Sequence, residues 1–184
     1  MFPVALVVGV WLWFAASRKA TLWWGMTVVA GYSIVAASKI LYKGWGIGLD
    51  SLNIAVFSGH AMNACLVLTV ALSLLSRQWD SRLQWPAAGL GLVTGWWFSV
   101  HFVSPCMHPL PEALAGALVG STAACVFLYQ EHQLALKPVP VPILLFGCFV
   151  LALSASAPKY TAESLLNRLA ISISGARQAY QTPH

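Results

Sequence analysis

The sequence predicts an all-α fold: a polytopic membrane helical bundle of about six transmembrane helices, followed by a C-terminal amphipathic helix. Three observations carry that expectation. The chain is 59% apolar and only 8% charged, whereas a soluble domain carries about 25% charged residues. So few charges cannot solvate a globular surface, but they suit a surface that faces lipid. The apolar residues gather into six runs that approach the roughly 20 residues a spanning helix needs. The nine tryptophans fit the same class, because Trp collects at the membrane–water interface.

The first run extends from about Phe2 to Ala16 and stops at Ser17-Arg18-Lys19. It is short, lacks a basic leader and is followed by no small-x-small cleavage site, so it reads as a retained helix. The second extends from about Thr21 to Ala37, and the third from Gly59 to Leu75, ending at Ser76-Arg77. The fourth covers Trp85 to Val103, the fifth Glu112 to Tyr129 and the sixth Val141 to Ala157. Gly91 with Gly95, and Gly116 with Gly120, have the small-xxx-small spacing that lets helix backbones approach closely in lipid. The proline-rich stretch Lys137–Pro142 is a stiff linker, since each proline fixes φ and removes a donor. Residues 1–157 thus form the bundle and residues 158–184 a tail. From about Ala162 to Tyr180 that tail sets Leu165, Leu166, Leu169, Ile171 and Ile173 among Asn167, Arg168, Arg177 and Gln178. This is the pattern of an amphipathic helix on the membrane surface or on a protein partner.

Arg18, Lys19, Arg77, Arg82 and Lys137 fall on one side of the expected bundle, and Lys39 and Lys43 on the other. The positive-inside rule places the first set in the cytoplasm. The Ala37–Ser58 and Ser104–Pro111 loops then both face outward. The expected location is a bacterial inner membrane with these loops toward the periplasm or exterior. The net charge of +5 is spread singly or in pairs between apolar runs, so no nucleic-acid partner is expected. Cys65, Cys125 and Cys148 lie within apolar runs, and Cys106 has no evident loop partner, so no disulfide framework is expected. His60, His101, His108 and Cys106 match no zinc spacing, and no metal or other cofactor is expected.

Three clusters on the outward loops carry chemistry. Lys39 and Lys43 follow the second helix. Ser58-Gly59-His60 opens the third, where unpartnered N–H groups and the helix dipole favour an anion. His108-Pro109-Leu110-Pro111-Glu112 leads into the fifth. Glu112 stands four residues after His108, so it can hold the Nδ1 proton and leave Nε2 as a nucleophile or base. An acid at membrane depth is costly and usually has a role.

Taken together, the lysine, Ser-Gly-His and His-x-x-x-Glu resemble the type 2 phosphatidic acid phosphatase family, which shares its core with vanadium haloperoxidases. The likeness covers about Ser38 to Gly120. "FSGHAMNA" resembles the second family motif, and "HPLPEALAGALVG" the third running into its helix. The resemblance implies that Lys39 binds phosphate, that Ser58, Gly59 and His60 form the second motif with His60 as general acid, and that His108 is the nucleophile. Glu112 stands where the family has an orienting aspartate. The chain departs from the pattern at Gly46 and Phe102, which occupy the positions of two phosphate-binding arginines. Lys43 and His101 are the candidates to replace those clamps in part.

The expected activity is hydrolysis of a lipid phosphate or pyrophosphate through a phosphohistidine at the outer face. The alternative is a catalytically inactive relative that binds a lipid phosphate or serves as a subunit of a larger membrane complex. Membrane lipids are partners in either case, and the tail offers a surface for a protein.

Overall fold

Helix α2 (Arg18–Trp45) sets the height of the molecule. Its 28 residues extend about 42 Å at 1.5 Å per residue. The structure is a computed structural model that describes residues 2–15, 18–132, 142 and 162–175. The other described helices are α1 (Phe2–Ala15), α3 (Gly59–Ser76), α4 (Gln84–Phe98), α5 (Ser104–Cys106), α6 (Leu110–His132) and α7 (Ala162–Ser174). A π-helical segment, Ser99–Val103, joins α4 to the single turn α5. The described residues form no sheet, and one isolated bridge pairs Leu49 with Ile54.

Three of the described helices are long and apolar enough to cross a membrane: Arg18–Trp45, Gly59–Ser76 and Leu110–Glu131. They mark a helical membrane protein. Large apolar side chains are exposed along their outer faces, among them Leu22, Met26 and Val29 on α2 and Leu118 and Val126 on α6. Water would penalise so much exposed apolar area, whereas lipid accepts it. Of the six expected spans, the first appears as the 14-residue α1. The fourth appears as the 15-residue α4, prolonged by the π segment. The expected span Val141–Ala157 lies outside the described residues. So do the linker before it, apart from Pro142, and the tail beyond Gly175.

The bundle closes around α3, whose residues are buried along most of its length. Glycines bring its neighbours to backbone contact. A β-carbon on Gly91 would meet Thr69 Cα at 2.5 Å, and one on Gly95 would meet Cys65 Cα at 2.8 Å. These pairs run in opposite chain directions, so α4 is antiparallel to α3. Gly116 and Gly120 of α6 lie against the carbonyls of Ser58 and Met62. Those pairs advance together, so α6 is parallel to α3. Helix α2 is antiparallel to α3: Gly59 faces Val35, Gly31 faces Met62 Sδ, and Asn63 Nδ2 donates to Tyr32 Oη at 2.7 Å. Val8, Leu12, Trp24, Leu66, Val70, Phe127 and Leu128 fill the core between α1, α2, α3 and α6. The Trp24 indole N–H donates to the Ala5 carbonyl at 2.8 Å and ties α1 to α2.

This directionality sorts the polar residues into two ends. At one end stand Arg18, Lys19, Arg77 and Arg82. There the buried Glu131 of α6 accepts from the Arg77 guanidinium, and its other oxygen accepts from Gln84 Nε2 at 3.1 Å. A buried carboxylate survives only with such partners. The opposite end gathers the C-terminus of α2, the N-termini of α3 and α6 and the π segment.

The second helix corrects the sequence expectation. It runs eight residues past Ala37, to Trp45, because nothing in Ser38-Lys39-Ile40-Leu41-Tyr42-Lys43 breaks a helix. It stops at Gly46, which adopts φ 70° and donates its N–H to the Tyr42 carbonyl at 2.7 Å. This is a left-handed glycine cap. Lys39 and Lys43 therefore lie one turn apart on a helix, not in a loop.

Candidate active site

The site is built from the N-terminus of α6. Pro109 and Pro111 suit a helix start, where no intrahelical donor is needed. The Pro109 carbonyl accepts from the amides of Glu112 and Ala113, each at 3.1 Å. This first turn places Glu112 one turn beyond His108. His108 Nδ1 lies 2.8 Å from Glu112 Oε2. Glu112 is 1% exposed, and its second oxygen, Oε1, accepts from the Val56 amide at 3.2 Å. An ionised carboxylate that holds Nδ1–H fixes the imidazole tautomer and directs Nε2 away from the pair. The Val56 bond in turn fixes the carboxylate.

The N-terminus of α3 is tied to the same turn. The Ser58 amide donates to the Glu112 carbonyl at 3.1 Å, and Gly116 presses on the Ser58 carbonyl one turn further along α6. Ser58 is fully buried, and its Oγ accepts from the Ala61 amide at 3.4 Å as the cap of α3. Its hydroxyl and its amide are both engaged within the protein, and it serves as a cap and a strut. Gly59 packs on Val35 of α2, and His60 follows at the exposed start of α3.

Helix α2 reaches this junction through Ser38. Its Oγ donates to the Val35 carbonyl at 2.8 Å and accepts from the Phe57 amide at 3.0 Å. Lys39 is the next residue, so the first candidate lysine is carried to the same end of the bundle as Ser58, His60, His108 and Glu112. Lys43 lies one turn beyond.

His101 belongs to the π segment. Pro105 has no N–H to offer the His101 carbonyl four residues earlier, and its ring crowds that carbonyl. A wider turn relieves the clash: the Ser104 amide bonds to the Ser99 carbonyl five residues back. Ser99 and Val103 are buried against α3 and α6, while His101 and Phe102 face outward. The His101 ring lies 5.4 Å from that of Trp97, and Phe102 stacks on Phe98 at 5.4 Å. His101 is at the same end of the bundle as the His108–Glu112 pair, and its ring contact is with Trp97 on an outward aromatic surface.

Gly46 and Phe102, where the resemblance would call for arginines, have structural roles. Gly46 is the left-handed stop of α2, a conformation that costs an L-residue about 1–2 kcal/mol. Phe102 belongs to an outward aromatic cluster with Trp97 and Phe98. Sequence reasoning missed Ser38 and Val56. Ser38 adjoins a singled-out lysine, but nothing local marks its hydroxyl as an acceptor. Val56 contributes only a backbone N–H, which no sequence pattern reveals.

Among known proteins, the chain is 27% identical over 179 residues to an uncharacterized 22.5 kDa protein in the cps region of Klebsiella pneumoniae. The alignment covers 94% of this chain and 85% of that protein. No family model matches the chain, and no solved structure matches it.

Proposed function

We propose that this protein is a membrane-embedded phosphatase, similar to the type 2 phosphatidic acid phosphatases, that hydrolyses a lipid phosphate or pyrophosphate. The observation that carries the reading is the His108–Glu112 pair, with Nδ1 2.8 Å from a buried carboxylate, beside the N-terminus of α3. A histidine held in this way is an activated nucleophile. In the proposed reaction, His108 Nε2 attacks phosphorus and forms an N–P bond while the P–O bond to the leaving group breaks. His60 gives the leaving oxygen its proton. Water then attacks the phosphohistidine, returning the histidine and releasing phosphate. Lys39, Lys43 and the opening turn of α3 supply the positive field for the phosphoryl oxygens. The positive-inside rule puts the Arg18, Lys19, Arg77 and Arg82 end in the cytoplasm and the reaction at the opposite face, in a bacterial inner membrane.

The test is phosphate release from lipid phosphates and pyrophosphates in vesicles, by purified protein and by His108→Ala. Release that disappears in a folded His108→Ala supports the proposal, and release that persists overturns it.

A second reading has its own observation. Gly46 and Phe102 stand where the family has arginines, one as a helix stop and one in an aromatic stack. This favours a chain that binds a lipid phosphate without turning it over. Saturable binding of a lipid phosphate without phosphate release would decide for it.

A further inference from the structure

Helix α7 is set against the far tip of α2. A β-carbon on Gly44 would meet Ser174 Cβ at 3.2 Å and the Ala170 carbonyl oxygen at 3.4 Å, and both Gly44 and Ala170 are buried. The rows of α7 divide cleanly. Ala170 and Ser174, one turn apart, dock on α2. Leu169 and Ile173, one turn apart, are 49% and 61% exposed. Arg168 and Ser172 form a polar, exposed row. Among the described residues, this apolar row is left exposed.

The depth of α7 follows from α2. The exposed apolar side chains Leu22, Met26, Val29, Ile34, Leu41 and Trp45 continue along α2 to its tip. A helix of about 42 Å exceeds a hydrocarbon core of about 30 Å and matches a bilayer of about 40–45 Å with its headgroups. Arg18 and Lys19 thus lie in one headgroup layer, and Lys43 and Trp45 in the other. Gly44, and α7 with it, lies in the headgroup layer on the site side. The loop that follows adds the exposed Ile47, Leu49 and Leu52 at the same level. The apolar row of α7 is continuous with a surface already facing lipid, and Arg168 flanks it with positive charge.

We propose that α7 is an interfacial platform. It docks through Ala170 and Ser174 on Gly44, sinks Leu169 and Ile173 into the acyl boundary of the site-side leaflet, and keeps Arg168 among anionic headgroups. The occupant of its open face is lipid. Resting on the phosphatase reading, the platform also holds the last turns of α2, with Lys39 and Lys43, at the depth of membrane phosphates. It thereby favours a phosphate presented in the bilayer over the same group on a soluble ester.

The direct test is nitroxide labelling of full-length protein at single cysteines, with the native cysteines replaced, in vesicles of phosphatidylcholine and phosphatidylglycerol. Labels at 169 and 173 are expected to collide with oxygen more than with a water-soluble nickel chelate, and labels at 168 and 172 the reverse. Water-like access at 169 and 173, or protection there from both reagents, overturns the proposal, the latter because protein and not lipid would cover the face. The second test compares substrates. Leu169→Glu with Ile173→Glu is expected to lower hydrolysis of a vesicle-borne lipid phosphate by about tenfold or more, the scale of losing two buried aliphatic groups. Hydrolysis of a short-chain soluble phosphate ester is expected to stay unchanged. Equal losses on both substrates overturn the selection for lipid. If the parent protein hydrolyses neither, the phosphatase reading fails while the labelling result still decides the position of α7.

Discussion

Gly116 lies directly against Ser58: a β-carbon at position 116 would overlap the Ser58 carbonyl oxygen. That contact sets α6 beside and parallel to α3, with the first turns of α6 running past the start of α3. It is what brings the His108–Glu112 turn to Ser58 and His60, because Ser58 also donates its amide to the Glu112 carbonyl.

Gly116→Ala forces backbone apart from backbone, since no side chain is present to rotate away. It is expected to lower stability by at least the 1–3 kcal/mol typical of overpacking and to reduce phosphate release even in the folded fraction. Gly89→Ala is the control, because a β-carbon there meets nothing within 4 Å. Thermal stability in detergent, followed by size-exclusion chromatography, compares the two. A Gly116→Ala protein as stable as Gly89→Ala would contradict the packing argument.

Glu112→Gln separates positioning from folding. The amide keeps an oxygen for one partner but sets an N–H₂ group against the other, either His108 Nδ1 or the Val56 N–H. Substitutions that leave a catalytic histidine in the wrong tautomer cost about 10⁴-fold in kcat elsewhere. A fall in kcat of roughly 10²–10⁴ is expected, with the protein still folded. Steady-state phosphate release at saturating lipid phosphate checks this, and an unchanged kcat would detach Glu112 from the chemistry.

Arg77 and Glu131 lie at the other end of the bundle, so their loss is a stability event and not a catalytic one. Arg77→Met leaves the buried Glu131, among the described residues, with Gln84 as its hydrogen-bond partner. Breaking one side of a buried pair costs about 3–5 kcal/mol. Replacing both, as Arg77→Met with Glu131→Leu, is expected to recover most of that loss. Melting temperatures of the single and double variants, with activity normalised to folded protein, test both statements.

Gly46→Arg tests whether the proposed site can take the arginine clamp that the resemblance calls for. The position is held at φ 70°, so arginine there strains the α2 stop by about 1–2 kcal/mol. The variant is expected to be less stable and to bind inorganic phosphate no better than the parent. Tighter phosphate binding, measured as competitive inhibition, would show that the site has room for the arginine found in the family.

Much of the candidate site's geometry was legible because its key pair is local. His108 and Glu112 are four residues apart with prolines between them, and a helix start can hold that spacing in few ways. Ser58-Gly59-His60 was legible as the opening of a helix. The burial of Ser58 and its tie to α6 were not, because α6 supplies both from more than fifty positions away in the chain. Lys39 and Lys43 were misplaced into a loop because the hydropathy of α2 fades before its helix ends. Only the backbone geometry of Gly46 marks that stop.

The sequence by itself determined that this chain is helical and made for lipid. Composition and run length are sums over residues and need no partner to be read. It also determined which residues had chemistry to offer. Tertiary structure alone decided which of them meet. Close backbone contact at Gly91, Gly95, Gly116 and Gly120 sets the direction and height of α4 and α6 on α3. That setting leaves the Glu112 carboxylate buried between His108 and the Val56 amide, turns Ser58 inward, and sends His101 and Phe102 to the aromatic outer surface. Contacts between segments distant in sequence leave no periodic trace, so these outcomes follow from packing and not from pattern.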